Sequence, residues 1–564
     1  MGLYKTVETS LNLTKEIFLG KEKNFSSSVI IFHAAMILIS FMFVYIFSYS
    51  TSFRYDFLGG DSSIFQSVGK YWAQGYLPYV DLFEHKGPLL FLINAIGYVI
   101  YPRAGIMVPQ IICLYLSCVF VWRAMKLYSS KWNLLFFLLV LIHYAAHYQE
   151  GNHVEEYSVL FLSAAAYVFL RALKDSEGKK FFHPPLYGFI YGFGFGACIL
   201  IRASDAAQIC CQSLLVAIFL LQARDFKNLL QNFLSFCAGF AVIFLPFVIY
   251  FAAHGALYEM FFGMIIFNMK YSAVQLQEIP LDVKLTYFAL HFMPVWILIV
   301  ASLSKILSDK KNRLARSGLF CGVMILIFLL NIRLFRHYCI ILFPLAPIIF
   351  AVLADLLPSV KNFFFAKKNF LQKFVLVAVV IPVIVGCEIY VAICCAHYIA
   401  PFKLYISEEG VAEIQRQDLA GILFLTPTKL DLEPDLDYEK FSTVEELAKL
   451  IPDAEKNSVV TWGYYCTSPH WVLETNIKPR ERVFFLNRTF GIIYPPFREE
   501  WFDHIRKDYP LWILCGVDPE KNSDGLMEFP IEDSDLEQIL EEKYSLKGEV
   551  FIFPQVMKLY RLKQ

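Results

Sequence analysis

The chain has 564 residues, of which 57% are hydrophobic and only 18% charged, with a mean hydropathy of +0.50. Lys plus Arg and Asp plus Glu balance at 50 each, so no basic excess suits nucleic acid. This composition excludes an ordinary soluble domain, and the long continuous apolar runs exclude the short alternating strands of a membrane barrel.

Residues 1–28 are expected to form a cytoplasmic N-terminal segment. It is polar and carries Lys5, Lys15, Lys21 and Lys23, too long a polar stretch for a secretory signal peptide, so the first apolar run is read as a retained anchor. Apolar spans are expected near 29–50, 104–122, 133–147, 156–173, 186–201, 206–222, 233–253, 283–304, 317–332, 338–357 and 374–397. The segment 87–102 is apolar but short. The basic clusters Arg123/Lys126/Lys131, Lys174/Lys179/Lys180, Arg224/Lys227, Lys305 to Arg316 and Lys361/Lys367/Lys368 share one side only if 87–102 does not cross. The expected fold class is therefore a polytopic α-helical membrane protein with about eleven spans. Its N-terminus is inside, 87–102 is a juxtamembrane or re-entrant helix, and the chain beyond about residue 399 is outside.

Ionisable residues gather in the loops placed outside. Asp61 follows Gly59-Gly60 in the loop 51–103, ahead of a helical apolar stripe of Ile64, Phe65, Val68 and Trp72 that suits an interfacial helix. Asp61 reads either as a general base towards a hydroxyl or as a helix N-cap. Asp81, Glu84, His85 and Lys86 come next, and Gly87-Pro88 opens a helix. Lys86 there suits a phosphate at a helix N-terminus, or else is a snorkelling lysine. Asn152 to Tyr157 contains Glu155 and Glu156 at a span entrance. These serve hydroxyl binding, metal binding or proton transfer, or else a solvated helix start. His143, His147 and His153 with Glu155 hint at a metal, but their spacing fits no standard zinc pattern. Arg202 with Asp205, and Arg333, Arg336 and His337, interrupt apolar runs. An outer-face Arg suits bidentate phosphate binding, or else an intramembrane pair with a carboxylate.

The chain from 400 to 564 is expected to be a small α/β extracytoplasmic domain. A helix is expected near Thr443–Leu450, with strands at Ser458–Tyr464, Leu511–Val517 and Val550–Phe553. Trp462-Gly463-Tyr464-Tyr465 reads as packed core or as a sugar-stacking surface. Of the 13 Cys, 11 precede residue 400 and behave as small hydrophobes, while Cys466 and Cys515 in the tail could pair. The tail has no nucleotide loop and no metal-ligand spacing.

The loop Asp61…Phe65…Gly69…Trp72…Gly75…Pro78-Tyr79…Asp81…Phe83…His85-Lys86-Gly87-Pro88-Leu89 resembles the first outer loop of GT-C glycosyltransferases. The bacterial protein-mannosyltransferase and aminoarabinose-transferase superfamily is the nearest in pattern, with Gly87-Pro88 in place of the commoner Pro-Pro. Asn152 to Tyr157 resembles that group's second acidic loop, and Arg336-His337-Tyr338…Pro344 its late R-x-Y…P motif. The resemblance covers about residues 29–400, which makes 29–399 a GT-C-like domain with 51–103 as its catalytic outer loop. It implies an enzyme of the cell membrane and cell envelope that moves a sugar from a polyprenyl-phosphate donor to a glycan, lipid or protein acceptor, with inversion. By position, Asp61 would be the base and Glu155 or Glu156 a second acidic group. Lys86, Arg202 and Arg336 would bind the donor phosphate, while Asp81, His85 and His337 would assist in substrate binding. No metal ligand is assigned and no cofactor is required, with a divalent metal left as an open alternative. The competing functions are a transporter or flippase, or a ligase or polymerase, of lipid-linked saccharides. A transporter predicts an inverted repeat, which the sequence lacks.

Overall fold

A computed structural model describes residues 26–55, 58–148, 150–273, 291–330, 336–365, 439–441, 443–463, 467–478, 480–485, 487–517, 534–552 and 555–564, with residues 15 and 19. The expected span 374–397 and Arg333 lie outside the described residues.

Among the described residues the apolar runs of the membrane part are helical, as they must be where no water can satisfy the backbone. Helix α1 is Ser27–Phe47, α2 Asp61–Ala73, α3 Pro88–Ile100, α4 Met107–Lys126, α5 Asn133–His147 and α6 Val154–Asp175. There follow α7 Pro185–Arg202, α8 Ala207–Gln222 and α9 Phe226–Ala253. Helix α10 is Leu257–Phe261, continued by a π-turn and by α11 Asn268–Ala273; α12 is Met293–Ser308, α13 Arg313–Leu330 and α14 Ala346–Phe365. Six helical stretches among the described residues are long and apolar enough to cross a membrane, and Asn133–His147 and Met293–Ser308 are shorter apolar helices. The expected spans 186–201 and 206–222 are the helices Pro185–Arg202 and Ala207–Gln222, linked by extended backbone at Arg202 and a 3-10 turn at Ala203–Ala206. The 13 residues of α3 reach only about 20 Å, short of the roughly 30 Å hydrocarbon core. Between the expected spans 233–253 and 283–304 the chain is helical from Leu257 to Ala273.

Exposure follows the solvent each face meets. Helix α9 leaves Leu230, Phe233, Leu234, Val242, Leu245 and Ile249 exposed, a lipid-facing stripe on the longest span. Its other face meets α7 through small residues. A Cβ on Gly188, Gly192 or Gly196 would run into Asn232, Phe236 or Ile243, so glycine lets the two backbones approach.

Helix α2 differs from the expected interfacial helix. Ser62 to Tyr71 are all buried. On one side Gly69 lies against the α3 backbone at Asn94 and Ala95. On the other lies the C-terminal helix α16, Thr467–Thr475, whose Pro469 carbonyl accepts a hydrogen bond from Ser67 Oγ at 3.2 Å. The apolar stripe read as membrane-facing packs protein on both sides.

The C-terminal part is α/β, as expected. Its strands are β1 Glu439–Phe441, β2 Val459–Trp462, β3 Trp512–Val517, β4 Tyr544–Ile552 and β5 Gln555–Leu562. Its further helices are α15 Val444–Ala448, α17 Asn487–Ile493, α18 Pro496–Lys507 and α19 Ser534–Lys543. The sheet order is β1-β4-β5-β3-β2, parallel at β1/β4 and β2/β3 and antiparallel at β4/β5 and β3/β5. Alternation along β3 sends Trp512 and Leu514 to one core and Ile513 and Cys515 to the other. Trp462 is core: it is buried with its ring 4.4 Å from that of Trp501. Tyr464, Tyr465 and Cys466 lie outside the described residues, and Cys515 is a buried free thiol.

Candidate active site

Three segments converge on Asp61. It is the first residue of α2, and Gly60, not Asp61, is the N-cap. The capping carboxylate comes from elsewhere. Glu150 Oε2 accepts from Gly60 N at 2.9 Å, and its Oε1 accepts from Ser62 N at 3.3 Å. Glu150, not Asp61, thus fills the helix-capping role. Burial pushes the Glu150 carboxyl up to about 7, with the nearby Asp61 charge adding to the rise. Gly59, at φ +76°, makes the turn into this clamp, and a Cβ there would press on Glu150 at 3.0 Å.

The second segment is the loop ahead of α6. The donor atoms of Asp61, His153 and His337 lie within 4.8 Å of one another. The His153 and His337 rings stack with centroids 4.3 Å apart. Burial pushes His153 down to about 3, so it is neutral at ordinary pH. Asn152, at φ +58°, donates to Ser62 Oγ at 3.0 Å and to Asn94 Oδ1 at 2.9 Å, while Tyr157 OH donates to Asn152 Oδ1 at 2.6 Å. These bonds tie the second loop to α2 and α3.

The two glutamates are separated in role by geometry. Glu156 is enclosed by donors: His153 N at 2.7 Å, Tyr148 OH at 2.5 Å and Gln110 Nε2 at 2.9 Å. It completes a capping box on α6. Glu155 is fully buried and faces Arg202, whose Nη2 is 2.5 Å from its Oε1. Arg202 also meets Asp205, Nε to Oδ1 at 2.7 Å, and its guanidinium lies 4.4 Å from the Tyr338 ring centroid. Its charge is thus shared between two carboxylates. Ser158 Oγ donates to the second Asp205 oxygen at 2.7 Å.

Lys86 sits in a compact triad. Its Nζ is 2.7 Å from His85 Nε2 and 3.5 Å from Glu84 Oε1, and His85 Nδ1 is 3.1 Å from the same oxygen. Burial opposes charge on Glu84, but His85 and Lys86 outweigh it and hold the carboxyl below its usual range. The Pro78-Tyr79-x-Asp81 turn positions this triad. Asp81 Oδ2 accepts from Leu77 N at 2.6 Å, and Tyr79 OH donates to the Lys86 carbonyl at 2.7 Å. Asp81 is thus engaged within the turn. Gly87 N donates to Ile201 O at 2.8 Å, which joins the Lys86 turn to the end of α7 beside Arg202. Arg336 opens a 3-10 helix through Leu345, and its side chain lies outside the described residues.

The structure therefore brings Asp61, His153 and His337 together, with Glu155/Arg202 and His85/Lys86 on neighbouring segments. Of the sequence-based metal set only His153 joins this cluster: His147 Nε2 is 3.0 Å from His291 Nδ1, and the His143 ring lies tilted against that of His147, with centroids 4.4 Å apart. Sequence reasoning gave Glu150, Glu84 and Tyr338 no role. The ionisable character of the stretch just ahead of Asn152–Tyr157 was the available signal for Glu150.

No protein-family model matches the chain, and no curated protein matches it. Among solved structures it is similar to ArnT from Cupriavidus metallidurans bound to undecaprenyl phosphate. The TM-score is 0.55 at 11% identity, over 95% of this chain and 98% of that one. The chain therefore shares the overall fold of that membrane protein. AglB from Archaeoglobus fulgidus, in complex with an inhibitory peptide and a dolichol-phosphate, gives a TM-score of 0.42 at 13% identity, over 87% of this chain and 70% of that one.

Proposed function

We propose that the chain is an integral-membrane glycosyltransferase that moves a sugar from a polyprenyl-phosphate donor to an acceptor hydroxyl at the outer membrane face. The observation that carries this reading is the convergence of Asp61, His153 and His337 from three separate segments onto one cluster beside Lys86 and Arg202. The structural likeness to ArnT, which was solved with undecaprenyl phosphate, supports the fold this chemistry uses.

In this reading Asp61 takes the acceptor proton as the acceptor oxygen attacks the anomeric carbon. The bond from that carbon to the phosphate oxygen breaks, and polyprenyl phosphate leaves with the electron pair, so the configuration inverts. Lys86 meets the leaving phosphate. Glu155, rather than Glu156, is the second functional carboxylate, because Glu156 is consumed by its three donors. Arg202 would contribute to the phosphate while held by Glu155 and Asp205, and Arg336 joins it by motif. Asp61, His153 and His337 also suit a divalent cation: two imidazoles and a carboxylate form an acceptable donor set, and the buried His153 Nε2 has no hydrogen-bond partner. Such an ion, when bound, would neutralise charge on the leaving phosphate.

Mass spectrometry of cell-envelope glycans from a deletion strain and its parent tests this. The reading predicts the loss of one sugar, restored by the wild-type gene. Loss of a whole polymer with no single-sugar change would point to a flippase or ligase instead.

A further inference from the structure

The C-terminal domain grips the 51–103 segment at two places, each close to a residue the transfer would use. At the first, His470 of α16 is buried and its Nε2 lies 3.0 Å from Gly59 O, two residues before Asp61. A carbonyl oxygen only accepts, so Nε2 carries the proton and donates. At the second, Phe83 N donates to Arg482 O at 2.7 Å, three residues before Lys86. The Phe83 ring packs there on Phe490 and Phe497, with centroids 5.9 and 4.6 Å away.

Helix α16 is itself fixed to α2. Lys70 Nζ donates to Val472 O at 2.8 Å and to Leu473 O at 3.1 Å, and Ser67 Oγ donates to Pro469 O at 3.2 Å. The first two carbonyls lie in the last turn of α16, where intrahelical donors run out and a cation is favoured. Lys70 is 1% exposed, and burial pushes its ammonium down only to about 8, so it stays charged at neutral pH. A buried charge is costly unless its hydrogen bonds are met, and these carbonyls meet two of its three.

We propose that His470 is a positioning residue for Asp61: from the C-terminal domain it holds the Gly59 carbonyl, and so fixes the turn that leads into Asp61. The turn is held on its other side by Glu150, which takes the Gly60 and Ser62 N–H groups. Neither of those bonds involves the Gly59 carbonyl. Gly59 lies at φ +76° and has no side chain to restrain it, so without His470 the Gly59–Gly60 peptide is freer to rotate. Asp61, the first residue of α2, follows directly. The C-terminal domain thereby sets Asp61 and, through Phe83, the Glu84-His85-Lys86 turn in one frame. The effect on transfer rests on the function proposed above; the hold on the turn does not.

Three variants of the full-length protein in nanodiscs test it: His470→Gln, His470→Asn and Lys70→Met. A glutamine amide nitrogen reaches the place of Nε2, whereas an asparagine amide reaches only that of Nδ1. His470→Gln should therefore keep wild-type hydrogen exchange over 59–63 and wild-type transfer. His470→Asn should raise that exchange about tenfold, the loss of one buried hydrogen bond. It should also lower kcat by about tenfold or more, with KM for the donor lipid unchanged, because the proton is taken only in the transition state. Lys70→Met fills the same space without the charge. It should loosen the turn through α16, so that exchange rises over both 59–63 and 467–475. Wild-type exchange over 59–63 in His470→Asn, equal behaviour of His470→Gln and His470→Asn, or a rise in Lys70→Met confined to 467–475 would overturn the proposal. So would raised exchange in His470→Asn with kcat unchanged. Raised exchange in His470→Asn beside a wild-type protein that transfers no sugar would instead refute the transferase reading and leave the hold on the turn standing.

Discussion

Gly87→Ala is the sharpest steric test of how the Lys86 turn is held. Gly87 lies at φ −77°, ψ 153°, which alanine adopts without strain, so any effect comes from space alone. A Cβ there would overlap the Leu200 carbonyl and lie 2.8 Å from Ile201 N. Those are backbone atoms at the end of α7, and they cannot rotate aside as a side chain would. Overpacking of this kind costs about 1–3 kcal/mol, and losing the Gly87–Ile201 hydrogen bond adds about 0.5–1.5 kcal/mol. The same shift moves Lys86 away from Arg202, and a misplacement of about 1 Å costs on the order of 100-fold in rate. The assay is the thermal unfolding midpoint of the purified variant, paired with its transfer rate from a lipid-linked sugar. A variant with a wild-type midpoint and rate would refute the close contact between this turn and α7.

Glu156→Ala leaves three buried donors unmet and should destabilise by at least about 3 kcal/mol, read as a lower midpoint and faster hydrogen exchange over residues 148–157. Unchanged exchange there would remove the capping role of Glu156. Arg202→Met strands Glu155 and Asp205 and should cost about 3–5 kcal/mol. Arg202→Met/Glu155→Gln/Asp205→Asn should recover much of the midpoint, and a triple variant no better than the single would show that charge burial is not the cause. His470, which contacts Gly59 O at 3.0 Å through Nε2, is pushed by burial from 6.5 down to about 4. The unfolded form therefore binds the proton more readily, so the stability contributed by this buried neutral ring is fully present above pH 6.5 and is lost progressively as pH falls towards 4. Hydrogen exchange over 467–475 should rise across that window, and His470→Gln should abolish the pH dependence.

The membrane class, the short apolar helix within 87–102, β2, β3 and the end of β4 were legible because hydropathy and alternation are local properties, whereas β1 and β5 were not expected. The partners of Asp61 were legible only as loops on one face, since His153 and His337 reach it through tertiary packing that spacing cannot show. Whether Asp61 is a cap was undecidable from Gly-Gly-Asp-Ser-Ser alone. The answer depended on Glu150, nearly ninety residues on, which occupies the cap. The same holds for Glu155 and Glu156: adjacent in sequence, they point to different partners because successive helix positions face about 100° apart. The stripe of α2 was read as membrane-facing because nothing in the sequence announces that a helix from the C-terminal domain covers it.

The central claim is that Asp61 accepts the acceptor proton. It is tested most directly by the initial transfer rate of Asp61→Asn against wild type, using membranes, donor lipid and acceptor from the source cells, with the folded yield of both proteins matched. The account predicts a loss of about 100- to 10,000-fold, the range expected for removing a general base. A rate for Asp61→Asn close to wild type would contradict it.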